Sequence, residues 1–112
     1  MPTAFADEAS RVHELGHLTE VDIARATGAA PSTARAWLAG TRSPSGERAE
    51  RLAELSALIE RLAFVMQPDY IPVWMRKPLR VLGDDKPLDA IAAGRYREVS
   101  RLIAALESPS AA

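Results

Sequence analysis

The chain has no cysteine among its 112 residues. That excludes disulfides and thiolate metal sites, and it is compatible with a cytoplasmic home. No apolar run approaches the roughly 20 residues that a membrane span needs, so no membrane partner is expected. The first stretch, Met1–Val12, has neither a basic nor an apolar segment and does not read as a signal peptide. Runs of β-branched residues are also missing. Ala, Leu, Arg and Glu dominate instead, which predicts an all-α protein. Charge of either sign is not in excess. The net charge is −1, with 7 basic and 9 acidic residues in 1–66 and 7 and 6 in 67–112. Such a balance argues against a strong non-specific nucleic-acid binder, so any DNA contact has to rest on a local patch. Lacking too are a nucleophile–base pair, a glycine-rich phosphate loop and a plausible metal cluster. No catalytic residue, cofactor or metal is therefore expected, and the chain reads as a binding protein rather than an enzyme.

What is present is an ordinary globular composition, 47% hydrophobic and 26% charged, enough for one domain or two very small ones packed together. Phe5, Ala9, Val12 and Leu15 recur at helical spacing over Phe5–Leu15. This helix ends in a motif that invites misreading: His13, Glu14 and His17 spell the H-E-x-x-H of zinc peptidases. That chemistry needs both imidazoles on one face of a continuous helix and a third ligand. Gly16 is expected to stop the helix, leaving His17 in a turn. Thr19 can then cap a new helix whose first turn holds Glu20 and Asp22.

Residues 19–40 read as two helices and a sharp turn. The first spans about Glu20–Thr27, Gly28 makes the turn, and Pro31 suits the first position of the second helix, which runs to about Leu38. Ala30 is a poor N-cap. Ile23, Ala34, Trp37 and Leu38 are the expected core, with Ala24 small where the helices cross. Trp37, Gly40 and Pro44 resemble the W-x-x-G-x-x-x-P pattern of phage-repressor-like (Xre) helix-turn-helix domains. In a DNA reader of that shape the second helix enters the major groove. The candidate DNA-binding residues are Ser32, Thr33 and Arg35 at its start, Arg35 suited to guanine, with Arg42 and Arg48 suited to phosphates. A scaffold role for the same motif is the alternative.

The longest predicted helix is Ser45–Met66. Ala49, Leu52, Leu55, Ile59, Leu62 and Met66 step along it by threes and fours. Its first part closes the core around Trp37. Its later part needs another cover, either the C-terminal block of the same chain or, given the 3-4 seam, a second copy. After Gln67–Asp69 the chain is punctuated by Pro72, Pro78, Gly83, Pro87 and Gly94, so several short helices are expected. These include Pro78–Leu82 and Pro87–Ala93, with Asp84 and Asp85 as candidate caps for the latter. Trp74 reads as a buried anchor. A clean amphipathic helix, Arg95–Leu106, carries Tyr96, Val99, Leu102, Ile103 and Leu106 on one face. The expected architecture is an N-terminal helix-turn-helix bundle, a long connecting helix and a C-terminal block of short helices. The boundary divides a helix-turn-helix domain with its long helix, 1–66, from a helical block and tail, 67–112.

Trp74, Pro78, Leu82, Lys86, Pro87, Gly94, Arg95, Tyr96, Val99, Leu102 and Ile103, in this order and spacing, resemble the C-terminal block of the Xre/MbcA/ParS antitoxin family. With the helix-turn-helix pattern the resemblance covers about residues 19–106. It implies an antitoxin that neutralises a RES-domain, NAD-degrading toxin by covering the NAD-binding cleft with its C-terminal region, and that represses its own operon by binding operator DNA. It also implies a hetero-oligomer with the toxin, alongside the homo-oligomer suggested by the long helix. By motif match the toxin-facing residues are Arg95, Tyr96, Arg101, Glu107, Ser108, Pro109, Ser110, Ala111 and Ala112. Where many members close the last helix with a glycine after an acidic residue, this chain has Glu107, Ser108 and Pro109. Two rival readings stand beside the antitoxin: a stand-alone transcriptional regulator whose C-terminal block only dimerises it, and a zinc peptidase.

Overall fold

The computed structural model describes residues 4–108. They form the helices α1 (Ala4–Gly16), α2 (Glu20–Thr27), α3 (Pro31–Ala39), α4 (Gly46–Val65), α5 (Ile71–Met75), α6 (Pro87–Ala92) and α7 (Tyr96–Glu107), with short 3-10 turns at Pro68–Tyr70 and Arg80–Leu82. The described residues contain no strand, only an isolated antiparallel bridge between Leu79 and Asp85. The chain is all-α, as its composition predicts.

The start of α2 is written locally. Thr19 Oγ1 accepts from the Asp22 amide at 3.3 Å while Asp22 Oδ2 accepts from the Thr19 amide at 2.9 Å, a capping box that satisfies two otherwise orphaned donors. Gly28 ends α2 at φ 78°, a left-handed conformation that glycine adopts without the Cβ penalty. After the short turn, α3 begins at Pro31 with Ala30 giving no side-chain cap, and it ends at Gly40. Ile23, Ala34 and Trp37 are buried as expected, and Leu38 is half-buried against them.

α4 is the axis of the molecule. Leu52, Leu55, Leu58, Ile59 and Leu62 are fully buried, and α4 packs against α1, α2, α5, α6 and α7. Each such leucine or isoleucine contributes on the order of 1.5–3 kcal/mol of burial. The buried side chains form one continuous cluster from Ala9 to Ile103. The seam along Leu55, Ile59 and Leu62 is therefore filled by the chain's own α1 and C-terminal helices, not by a second copy. α2 occupies the middle of the molecule, packed against α3 and against α6. The short helices of the C-terminal block supply Ile71, Trp74, Met75, Leu88 and Ile91 to the core, whereas α7 sinks only Val99 and Ile103.

α1 ends at Gly16, its last residue, and leaves His17 past the end in the left-handed conformation at φ 56°. The glycine is also needed for proximity: a Cβ built there would lie 2.8 Å from Ile59 Cγ2. Two other local expectations are corrected. Pro78–Leu82 is not a helix. Leu79 is extended, its amide donates to the Asp85 carbonyl at 3.1 Å, and only Arg80–Leu82 makes a 3-10 turn before Gly83 reverses the chain. Asp84 and Asp85 do not cap α6, whose N-cap, Lys86, makes no side-chain cap bond. Asp85 binds Arg95 instead.

Because Ile59 is fully buried and its contacting methyl sits directly on the branched Cβ, it has little room to yield. Gly16→Ala should destabilise the chain by about 1–3 kcal/mol, the usual range for overpacking a core, although alanine is the better helix former. Urea denaturation checks this; an unchanged or raised midpoint would show that α1 and α4 are not in close contact there.

Candidate functional site

The residues expected to read DNA lie on and after α3. Ser32, Arg35 and Arg42 are exposed and Thr33 is half-buried. Arg35 is not free. Its Nε and Nη2 donate to the two Glu20 carboxylate oxygens at 3.1 and 2.7 Å, a fork that ties α3 to the first turn of α2. The Arg35 hydrogen bond holds the Glu20 carboxyl below its ordinary pKa. Arg42 and Arg48 have no ion-pair partner among the described residues. This surface thus offers two unpaired cations and one guanidinium that has to leave a carboxylate before it can meet a base.

The C-terminal candidates divide sharply. Arg95 is structural: Nε and Nη2 donate to Glu98 at 2.8 and 2.9 Å, Nη1 donates to Asp85 at 2.7 Å and Nη2 also reaches the Leu82 carbonyl at 3.1 Å. Tyr96 is half-buried against the core. Glu107, though exposed, accepts from Arg61 Nη2 at 2.6 Å, while Arg61 Nη1 donates to Ser100 Oγ, also at 2.6 Å. Arg101 is exposed with no ion-pair partner among the described residues, and Ser108 follows the end of α7, its amide bonded to the Ala104 carbonyl. Pro109, Ser110, Ala111 and Ala112 lie outside the described residues.

Sequence reasoning did not single out Arg61, the main polar anchor of α7, nor the two forks that tie α2 to the C-terminal block. Arg76 donates from Nε to Asp22 Oδ1 at 2.8 Å, and Arg25 donates from Nη2 to Asp89 Oδ2 at 3.0 Å. These pairs are 54 and 64 residues apart in sequence, so no local pattern announces them. Burial of Asp22 would by itself raise its pKa, but the Arg76 guanidinium and the Thr19 amide and hydroxyl outweigh it and hold the carboxyl below the usual range.

The two histidines of the H-E-x-x-H string are each otherwise engaged. His13 Nδ1 donates to the Leu18 carbonyl at 2.8 Å, and His17, past the end of α1, pairs with Asp69 at 3.0 Å. Among the described residues no group of three or more His, Asp or Glu side chains could hold a metal. No described helix is long and apolar enough to cross a membrane.

The all-helical fold, with its second helix tied to a block of short C-terminal helices, has a counterpart among solved structures. One chain of the crystal structure of the Mycobacterium tuberculosis MbcT–MbcA toxin–antitoxin complex superposes with a TM-score of 0.80 and 33% identity, covering 93% of this chain and 94% of that one. The mycobacterial cidal antitoxin MbcA of Mycobacterium bovis and that of M. tuberculosis H37Rv are each 35% identical to it over 95 residues, 85% of this chain and 83% of theirs. No family model matches the sequence. The chain belongs to the family of mycobacterial cidal antitoxins.

Asp22 provides a test of how firmly α2 and the C-terminal block are joined. Its folded pKa is lowered, so its contribution to stability is full above the ordinary aspartate range and is lost as the pH falls through the folded value. Asp22→Asn should cost about 1–3 kcal/mol near neutrality, the range for hydrogen bonds to a charged group discounted for the half-exposed Arg76. The gap between parent and variant should close in denaturation curves taken progressively below about pH 4. A gap independent of pH would mean that the charge of Asp22 does not hold the junction.

Proposed function

We propose that this chain neutralises a RES-domain, NAD-degrading toxin by covering the toxin's NAD-binding cleft with its C-terminal region, and that it represses its own operon by binding operator DNA in the cytoplasm. The observation that carries the first half is the likeness to an MbcT–MbcA complex chain over nearly the whole of both chains. The resemblance of the C-terminal block, Trp74 to Ile103, to Xre/MbcA/ParS antitoxins supports the RES-type toxin. On this reading the work divides near residue 66: α2 and α3 face DNA through Ser32, Thr33, Arg35 and Arg42, and residues 67–112 face the toxin.

The geometry refines the roles. Arg95 and Glu107 hold the docking face in shape, Arg95 by fixing the start of α7 and Glu107 by fixing its end through Arg61. Tyr96 and Arg101 lie on the helix that meets the toxin. The tail from Ser108 to Ala112 is the part thin enough to enter a cleft that a helix cannot fill. We further propose a homo-oligomer that presents two readers to a two-fold operator. Its contact would be the exposed end of α1 and α4, where Phe64 is 92% exposed beside Leu15.

Two measurements separate the parts of this reading. A chain ending at Ser108 keeps the Arg61–Glu107 fork, so it should melt like the parent and still bind operator DNA. It should bind the toxin encoded beside it more weakly and fail to block NAD loss when added in excess. Full inhibition by the shortened chain would remove the tail from the mechanism. No inhibition by the full chain would favour a stand-alone regulator whose C-terminal block only dimerises it.

Arg35 tests the DNA half. Arg35→Ala should weaken operator binding by roughly 1–3 kcal/mol if the guanidinium reads a guanine. Arg42→Ala should weaken all DNA sequences alike and flatten the salt dependence. Gel-shift titrations in which both variants match the parent would leave α3 as scaffold only.

A further inference from the structure

Ion pairing sorts the charge of this nearly neutral chain. Beyond residue 66, five carboxylates are bound. Asp69 meets His17, Asp85 and Glu98 hold Arg95, Asp89 holds Arg25 and Glu107 holds Arg61. Asp84 alone has no ion-pair partner among the described residues. Three of the bound carboxylates take their partners from the first 66 residues and so do not neutralise cations of their own stretch. Among those cations Arg76 and Arg95 are paired. Lys77, Arg80, Lys86, Arg97 and Arg101 have no ion-pair partner among the described residues, and all but the half-buried Lys86 are exposed. Among the described residues, a stretch whose composition is nearly balanced therefore presents five cations without an ion-pair partner against one such carboxylate.

The fold gathers the cations. Arg95 bonds to Asp85 and to the Leu82 carbonyl, which brings the loop bearing Arg80 and Lys86 to the first turn of α7. Arg97 sits in that turn, and Arg101 is four residues on, the spacing that puts two side chains on the same side of a helix. The carboxylate near Arg101 is Glu98, and it already binds Arg95. An exposed apolar side chain stands among them: Val81, 69% exposed and next to Arg80 in sequence. A purely solvated face has no use for it. A nucleic-acid face would want more phosphate-binding groups and fewer aliphatic ones.

We propose that the C-terminal block docks onto an acidic protein surface through Arg80, Arg97 and Arg101, with Val81 making apolar contact. On the antitoxin reading, on which this rests, that surface belongs to the toxin and surrounds the cleft entrance rather than forming the cleft itself. Unpaired cations of this kind accelerate encounter more than they tighten the final complex, and their effect is screened by salt.

The experiment follows association of the full chain with the toxin encoded beside it, by stopped-flow, across a series of salt concentrations. The Arg97→Glu/Arg101→Glu pair should associate roughly tenfold more slowly than the parent at low salt, with a shallower salt dependence and a smaller change in off-rate. The Arg97→Lys/Arg101→Lys pair keeps the charge and should associate like the parent. The Arg97→Gln/Arg101→Gln pair should fall between; it also serves if the Glu pair melts early. Operator binding should be unchanged in all three. Parental association by the Glu and Gln pairs overturns the proposal while leaving the antitoxin reading intact. Loss of DNA binding with toxin association preserved overturns it as well, because the ridge then faces nucleic acid. If the parent does not associate with the toxin at all, the antitoxin reading falls and this inference with it.

Discussion

Both oxygens of Asp22 are occupied from two directions. From its own helix come the Thr19 amide and hydroxyl, which make it the reciprocal member of a capping box; from the far end of α5 comes the Arg76 guanidinium. A half-satisfied carboxylate at a buried site would be costly, and here the same charge is needed to start α2 and to seat the C-terminal block on it. The Arg25–Asp89 fork lies farther along the same helix and joins it to α6. α2 is thus a shared wall. One side shapes the α3 surface and the other carries the C-terminal helices.

Around that wall the hydrophobic arrangement is simple. α4 is buried along one face by α1 and by the C-terminal helices, so the two ends of the sequence are brought together by the middle. α7 is attached through Val99, Ile103 and the Arg61 fork. Its outward side is left to charged and small residues. A helix with few buried groups is an element whose local opening costs little.

The features legible in the sequence are those whose cause is local. Thr19 and Asp22 are three residues apart, so the capping box could be read in advance. Gly28 and Gly40 ended helices where they were expected to, and the core choice of Ile23, Ala34 and Trp37 followed from periodicity. The misread features have distant causes. Pro78 is a good helix starter, but Leu79 is held extended by the Asp85 carbonyl across a reversal at Gly83. Gly16 ends α1 as expected, but nothing nearby reveals its second duty against Ile59, which lies on another helix. In the candidate site the bonds that the residues make within the fold were not all visible. Arg95, Glu107 and Arg35 are bound to carboxylates that only the fold brings near, whereas Arg101 remains open to solvent. Arg61 gave no signal, since a charged residue on the flank of a long helix looks like any solvated one.

The approach of Gly16 to Ile59, where an added Cβ would fall 2.8 Å from the isoleucine, makes the two positions share a single volume. Neither can change freely while the other stays as it is. A larger residue at 16 is tolerated only in a background where 59 has already become smaller, whereas shrinking 59 first leaves a cavity that the chain can survive. The order of substitution is therefore constrained, and relatives with the same helix crossing should show the two sizes varying in opposite directions.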